Sequence, residues 1–192
     1  EKGARGEIER IYALTADPEP ATRAAALGAL AKLAGEADLA RLVTMLDGAT
    51  DADDIIRLQE AVAAASRRAP DAERRGAALV DLLRNAFPGR KIAILRVLPK
   101  VGGERALRAA VDESTSADSQ VQTIAIYALS QWPDASATDE LLRIATTTKN
   151  TRHRLMAVEG YVRLLGRAAI GGDRKLELLQ GLQVHVAEIV DL

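Results

Sequence analysis

The chain has 192 residues with 26 basic and 27 acidic side chains, so a formal charge of −1 supplies no global basic field to attract nucleic acid or an anionic membrane. Ala and Leu dominate while aromatic residues make up 3%, which suits helices packed through small side chains and argues against a β-sandwich. Without cysteine, disulfides, thiolate metal sites and thiol catalysis are excluded.

The first apolar pattern, Ile8, Ile11, Tyr12 and Leu14, predicts a helix over 6–14 that Asp17-Pro18-Glu19-Pro20 stops. Next comes a helix over 21–34, ending at Gly35, and then one over 37–47 with Leu39, Leu42, Val43 and Leu46 on one face. A helix over 52–68 follows, carrying Leu58, Ala61, Val62 and Ala65, and Ala69-Pro70 breaks it. Asp51, Asp53 and Asp54 stand at its start, where negative charge suits the exposed N–H groups. Asp71 is a fitting N-cap for the next helix, which buries Ala78, Leu79, Leu82 and Leu83. After Pro88-Gly89 a helix over 90–101 contains Pro99, which cannot donate to the Leu95 carbonyl, so a kink is expected. Gly102-Gly103 turns the chain into a short helix over 104–112 that buries Leu107, Ala110 and Val111. The polar stretch 114–118 leads to a helix over 119–132, stopped by Pro133-Asp134, and Leu141, Leu142, Ile144 and Ala145 mark the following one. Helices over 151–165 and 174–190 complete the set, the last with Leu176, Leu179, Leu182, Val186 and Ile189 on one side.

Four of these helices superpose without gaps. Each begins with a long polar residue (Arg23, Lys91, Gln122, Arg154), and apolar residues follow four, seven and ten positions on. The sets are Leu27, Leu30, Leu33; Leu95, Leu98, Val101; Ile126, Leu129, Trp132; and Val158, Tyr161, Leu164. Such offsets trace one stripe, and a helix with a single apolar stripe must bury it on a neighbour. Recurrence at roughly 30–35 residues therefore predicts an all-α stacked solenoid. Its repeats are a partial leading one over 1–17, then 18–50, 51–87, 88–116, 117–149 and 150–192, forming one solenoid over 1–192. The opening falls partway through a repeat, so a piece of a longer protein is expected.

Over 18–165 this resembles the HEAT repeats: an antiparallel helix pair at this period, a Gly or Pro-Asp turn between its helices, and a basic residue early in the first helix at Arg23, Lys91 and Arg154. Gln122 and the whole second repeat depart from that register. The resemblance implies a right-handed α-α superhelix of about five helical hairpins, with inner helices lining a concave face. The region 89–165 is also similar to HEAT regions of large bacterial proteins, some secreted or envelope-associated, through Leu95-Arg96-Val97-Leu98, Gly102-Gly103, Ala128 to Asp134 and His153-Arg154 followed by Gly160-Tyr161.

Arg41, Arg84, Arg108 and Arg143 each interrupt the apolar pattern of an inner helix. Aligned on a concave face they would form a basic track for acidic peptide, phosphate or glycan carboxylate; otherwise they are solvated and paired with neighbours such as Asp81, Asp112, Asp139 or Glu140. Tyr127 lies one residue outside the stripe, within reach of a groove, whereas Trp132 is placed in the core. The two histidines, His153 and His185, fall on different helices outside any metal-ligand spacing and are expected at the surface or half-buried. No nucleophile elbow occurs, and neither Gly102-Gly103 nor Gly171-Gly172 continues into a phosphate-cradling loop. Neither cofactor nor metal is expected.

The sequence thus predicts a non-catalytic scaffold, presenting an inner-helix groove to a protein partner or spacing a covalently linked domain. The alternative implied by the resemblance is a HEAT-like enzyme or chaperone-lyase, similar to bilin lyases or to DNA glycosylases. The glycosylase form calls for a basic concave face rich in aromatics, which a charge of −1 and one Trp disfavour. No nucleic-acid partner and no membrane insertion are expected, and the helices at the two ends predict end-to-end self-association. The bacterial envelope or secreted setting rests on the resemblance alone.

Overall fold

The computed structural model describes residues 2–68, 76–167, 171–173, 176–177 and 180. Among these, all regular structure is helical: α1 Lys2–Leu14, α2 Pro20–Leu33, α3 Leu39–Gly48, α4 Ala52–Arg67, α5 Ala77–Arg84, α6 Pro88–Leu95, α7 Leu98–Val101, α8 Glu104–Glu113, α9 Ser119–Ser130, α10 Thr138–Thr147 and α11 Thr151–Arg167. Consecutive helices pack as pairs in a repeat-like arrangement, and short 3₁₀ turns at Glu36–Asp38 and Ala135–Ala137 lead into α3 and α10. The chain divides into two compact units, Glu1–Ala106 and Leu107–Leu192.

In the first unit α2, α4 and α7 pack in succession as one layer, and α3 contacts both α5 and α6 behind them. The apolar stripes predicted for α3 and α4 are the core: Leu39, Leu42, Val43, Leu46, Leu58, Ala61, Val62 and Ala65 are all buried. Asp51 caps α4, its Oδ1 accepting from the N–H groups of Asp53 and Asp54 at 3.0 Å each. The expected kink takes the form of a break. α6 stops at Leu95, Val97 N–H turns back to the Ile94 carbonyl at 2.8 Å, and α7 restarts one residue before Pro99. The proline ring lacks the donor for Leu95 and crowds that carbonyl, so the ladder closes early. Gly102 and Gly103, at φ of 69° and 85°, occupy the left-handed region that the following turn requires.

In the second unit α9 and α10 both pack on α11. Asp118 caps α9 by accepting from Gln120 and Val121, and Trp132, just past the helix end, is fully buried. α9 and α11 approach closely where Gly160 faces Ser130. A Cβ on Gly160 would lie 2.6 Å from Ser130 Cα and 2.7 Å from its Cβ, so only glycine fits there.

Four sequence expectations need correction. Leu33 was placed in the core, yet it is 58% exposed, and Ala34 is buried in its stead. The chain leaves the helix at Ala34, which turns extended and swings inward while its N–H still reaches Leu30. In α5 Val80 is buried with Leu79 and Leu83 while Ala78 and Leu82 are only half-buried, and in α8 the buried residues are Ala106, Ala109 and Ala110, with Leu107 and Val111 half-buried, because the alanines give the closer contact. Fourth, His153 is buried rather than at the surface or half-exposed. Asp71, His185 and nearly all of the helix expected over 174–190 lie outside the described residues.

Candidate functional site

Each arginine proposed from the sequence sits on the helix expected for it. Arg41 on α3 has its guanidinium carbon over the Tyr12 ring, 3.6 Å from its centroid, and donates to Glu9 Oε2 at 2.8 Å. Tyr12 is buried beneath it, and burial, followed by the Asp38 carboxylate, pushes the phenol up to about 12. Arg84 on α5 pairs with Asp81 at 3.4 Å, both side chains mostly in solvent. Arg143 on α10 holds Glu140 in a forked pair, with Nε to Oε2 at 2.8 Å, and the hydrogen bond to that carboxylate raises the guanidinium above its ordinary value. The Ser114 hydroxyl lies 3.3 Å from the same carboxylate, with the Val111 carbonyl nearer at 2.7 Å. Arg108 is exposed on α8, and Tyr127 is 46% exposed on α9. Arg41 and Arg84 belong to the first unit, Arg108 and Arg143 to the second. Arg41, Arg84 and Arg143 each face a carboxylate of their own neighbourhood, which cuts the positive field they offer to an acidic ligand.

A second set of arginines does different work. Arg68, at the end of α4, donates to the carbonyls of Ala31, Lys32 and Ala34 at the end of α2. Arg163, near the end of α11, donates to those of Ser130 and Trp132 at the end of α9, the Trp132 bond being 3.0 Å and the Nε bond to Ser130 3.1 Å. Arg67 reaches the Lys100 carbonyl of α7 at 2.5 Å. The last turn of a helix leaves carbonyls without intrahelical partners and carries partial negative charge, so a guanidinium there satisfies several acceptors at once. The Arg68 and Arg163 caps reach back 31–37 positions and Arg67 reaches forward 33, so in each unit a guanidinium ties one helix pair to its neighbour.

The basic position of the recurring register has its own task. Arg23 donates through Nε to Asp54 Oδ2 at 2.8 Å and through Nη1 to the carbonyls of Asp17 and Pro18 at 3.2 Å. Arg154 repeats the loop contact, donating to the Thr148 carbonyl six residues back, as Asp17 is six back from Arg23. Arg23, Asp51 and Asp54 also line a cleft of about 510 Å³ with Thr15, Thr44 and Thr50, floored by Leu27 and Leu58. The backbone N–H groups of Asp54 and Asp53 hold the Asp51 carboxyl below its usual range, burial acting against them.

Among the described residues no group of three or more His, Cys, Asp or Glu could hold a metal ion, and no helix is long and apolar enough to cross a membrane. Trp132 is in the core, fully buried, as its stripe position predicts. The capping arginines were missed from the sequence, although their recurrence one repeat after a helix end was a usable signal.

Neither a protein-family model nor a curated protein sequence matches the chain. Among solved structures it is similar to the crystal structure of an engineered protein, at 20% identity and a TM-score of 0.37, covering 96% of this chain and 97% of that one. A likeness of that size carries no argument about function.

Proposed function

We propose that the chain is a HEAT-type repeat segment acting as a non-catalytic scaffold, which either offers its inner-helix surface to a protein partner or spaces a neighbouring domain. The observation that supports this reading is the arginine cap from one helix pair onto the carbonyl end of the pair before it, seen in α4 on α2 and in α11 on α9. Side chains used in this way hold stacked pairs in register, which is what a long binding surface needs. Exposed Arg84 in the first unit, and exposed Tyr127 and Arg143 in the second, are the positions to test.

Affinity capture read by mass spectrometry, with wild type beside Arg84→Glu, Arg143→Glu and Tyr127→Ser, tests it. A partner retained by wild type and lost by a variant of unchanged melting temperature supports the partner-binding form. A partner indifferent to all three favours the spacer form. Visible absorbance from a bound pigment, or release of alkylated bases from DNA, would overturn the scaffold in favour of the lyase or glycosylase alternative. Sedimentation over a range of concentrations tests end-to-end association, to which the exposed Leu14 of α1 and Leu155 and Val162 of α11 point; a monomer at every concentration rejects it.

A further inference from the structure

His153 stands in the first turn of α11, 4% exposed, with its Nε2 2.8 Å from Thr123 Oγ1 on α9. That hydroxyl has a single proton, and it is donated to the Ser119 carbonyl at 2.8 Å. With that proton on the Ser119 carbonyl, Thr123 accepts from the ring, which assigns the N–H of the neutral imidazole to Nε2 and the second proton to Nδ1. Three features of its surroundings oppose that proton. The site is desolvated, it lies at the positive end of the α11 dipole, and Arg152 precedes it in the chain. The Asn150 side chain accepts the His153 backbone N–H at 3.1 Å, which fixes the ring's base at the helix start. From the elements packed against α11, α9 brings Tyr127 as its one ionisable side chain, and α10 brings Asp139, Glu140 and Arg143, the last two bound to each other.

We propose that His153 makes the α9–α11 junction acid-labile: the bond from its Nε2–H to Thr123 survives protonation, but a second proton at Nδ1 places a desolvated positive charge between the two helices, at the positive end of α11. Burial, and then Arg152, hold the His153 pKa below its ordinary value. The sign follows. Above about pH 6.5 the ring is neutral in the folded and unfolded chain alike, and the junction keeps its full stability. As the pH falls below that value the unfolded chain binds the proton first, so stability declines until the lowered native pKa is reached. The loss is concentrated at the α9–α11 junction, where Ala157, Tyr161 and Leu164 would become accessible.

Trp132, the chain's one tryptophan, reports on this junction, since it is fully buried and its carbonyl is held by Arg163 of α11. Denaturant unfolding of the full chain, followed by tryptophan emission between about pH 7 and pH 5, should show a midpoint that falls on acidification. In His153→Gln, whose amide can still donate to Thr123 but does not titrate, that fall should flatten. An NMR titration of the wild-type imidazoles, with His185 as the internal comparison, should place His153 below the ordinary histidine value. The proposal is overturned if His153 titrates at or above about 6.5, or if the variant keeps the wild-type pH dependence. Should the variant not fold, the wild-type titration alone decides.

Discussion

At the scale of single residues, Gly160 and Arg163 show how closely two neighbouring helices are matched. With Ser130 Cα and Cβ only 2.6 and 2.7 Å from where a Cβ would stand, Gly160→Ala must push α9 and α11 apart. The contact is with backbone, which cannot rotate away. A cost of about 1–3 kcal/mol is expected from over-packing, visible as a lower midpoint in tryptophan-detected unfolding. Any gain in helix propensity from alanine is worth at most ~1 kcal/mol and does not reverse the sign. Arg163 is half-buried, and desolvation followed by Arg167 lowers its pKa from the ordinary guanidinium value. Arg163→Gln keeps some of the stem but gives up the fork to the Ser130 and Trp132 carbonyls, and about 1–2 kcal/mol should be lost on urea denaturation. Arg163→Lys should recover only part of it, because an ammonium cannot address both carbonyls in one plane.

At the scale of elements, the starts and stops of the helices were legible because their causes are local. Pro18 and Pro20, Gly35, the Asp51 cap, Pro99 and the Pro133-Asp134 stop each act within a turn of themselves, and the corresponding boundaries fall within a few residues of expectation. Leu33 was misplaced because an apolar residue in the last turn obeys the path of the chain beyond it, not the helical wheel. The register position of Arg23 was visible, but not its role, since Asp54 is 31 residues away and pairing at that distance leaves no local mark. His153 was more readable than it was taken to be: with Ala157, Gly160, Tyr161 and Leu164 it lies on one helical face, all of it buried. The inner-helix arginines stand where the pattern put them, and Asp81 and Glu140, acids three residues before Arg84 and Arg143, pair with them as their spacing allows, whereas Glu9, 32 residues from Arg41, left no local mark. A test at this scale concerns Asp118, which caps α9 through two backbone N–H groups at 2.9 and 3.0 Å. Asp118→Ala should cost about 1 kcal/mol, and Asp118→Asn much less, measured by thermal unfolding.

For the molecule as a whole, acids and bases almost balance and many ion pairs stand in solvent, among them Arg10–Glu7, Arg41–Glu9 and Arg84–Asp81. Exposed pairs contribute roughly 0–1 kcal/mol each and are screened by salt. Stability should therefore come from the alanine- and leucine-rich core, and raising NaCl from about 0.05 to 0.5 M should move the melting temperature by no more than ~3 °C. A drop much larger than that would mean that the charge network, not the core, holds the helices together.

The arginines that close the carbonyl end of an earlier helix have one more consequence, for how such a chain can change length. The cap needs nothing distant: only a guanidinium near the end of one helix and the open end of its counterpart in the pair before. A duplicated stretch of one pair would carry both halves of the joint with it, the socket and the plug. Gene duplication or excision in whole periods would thus leave every surviving joint complete, while a cut at any other phase would strand an arginine without its carbonyls. Growth by copying is written into the chemistry of the joint.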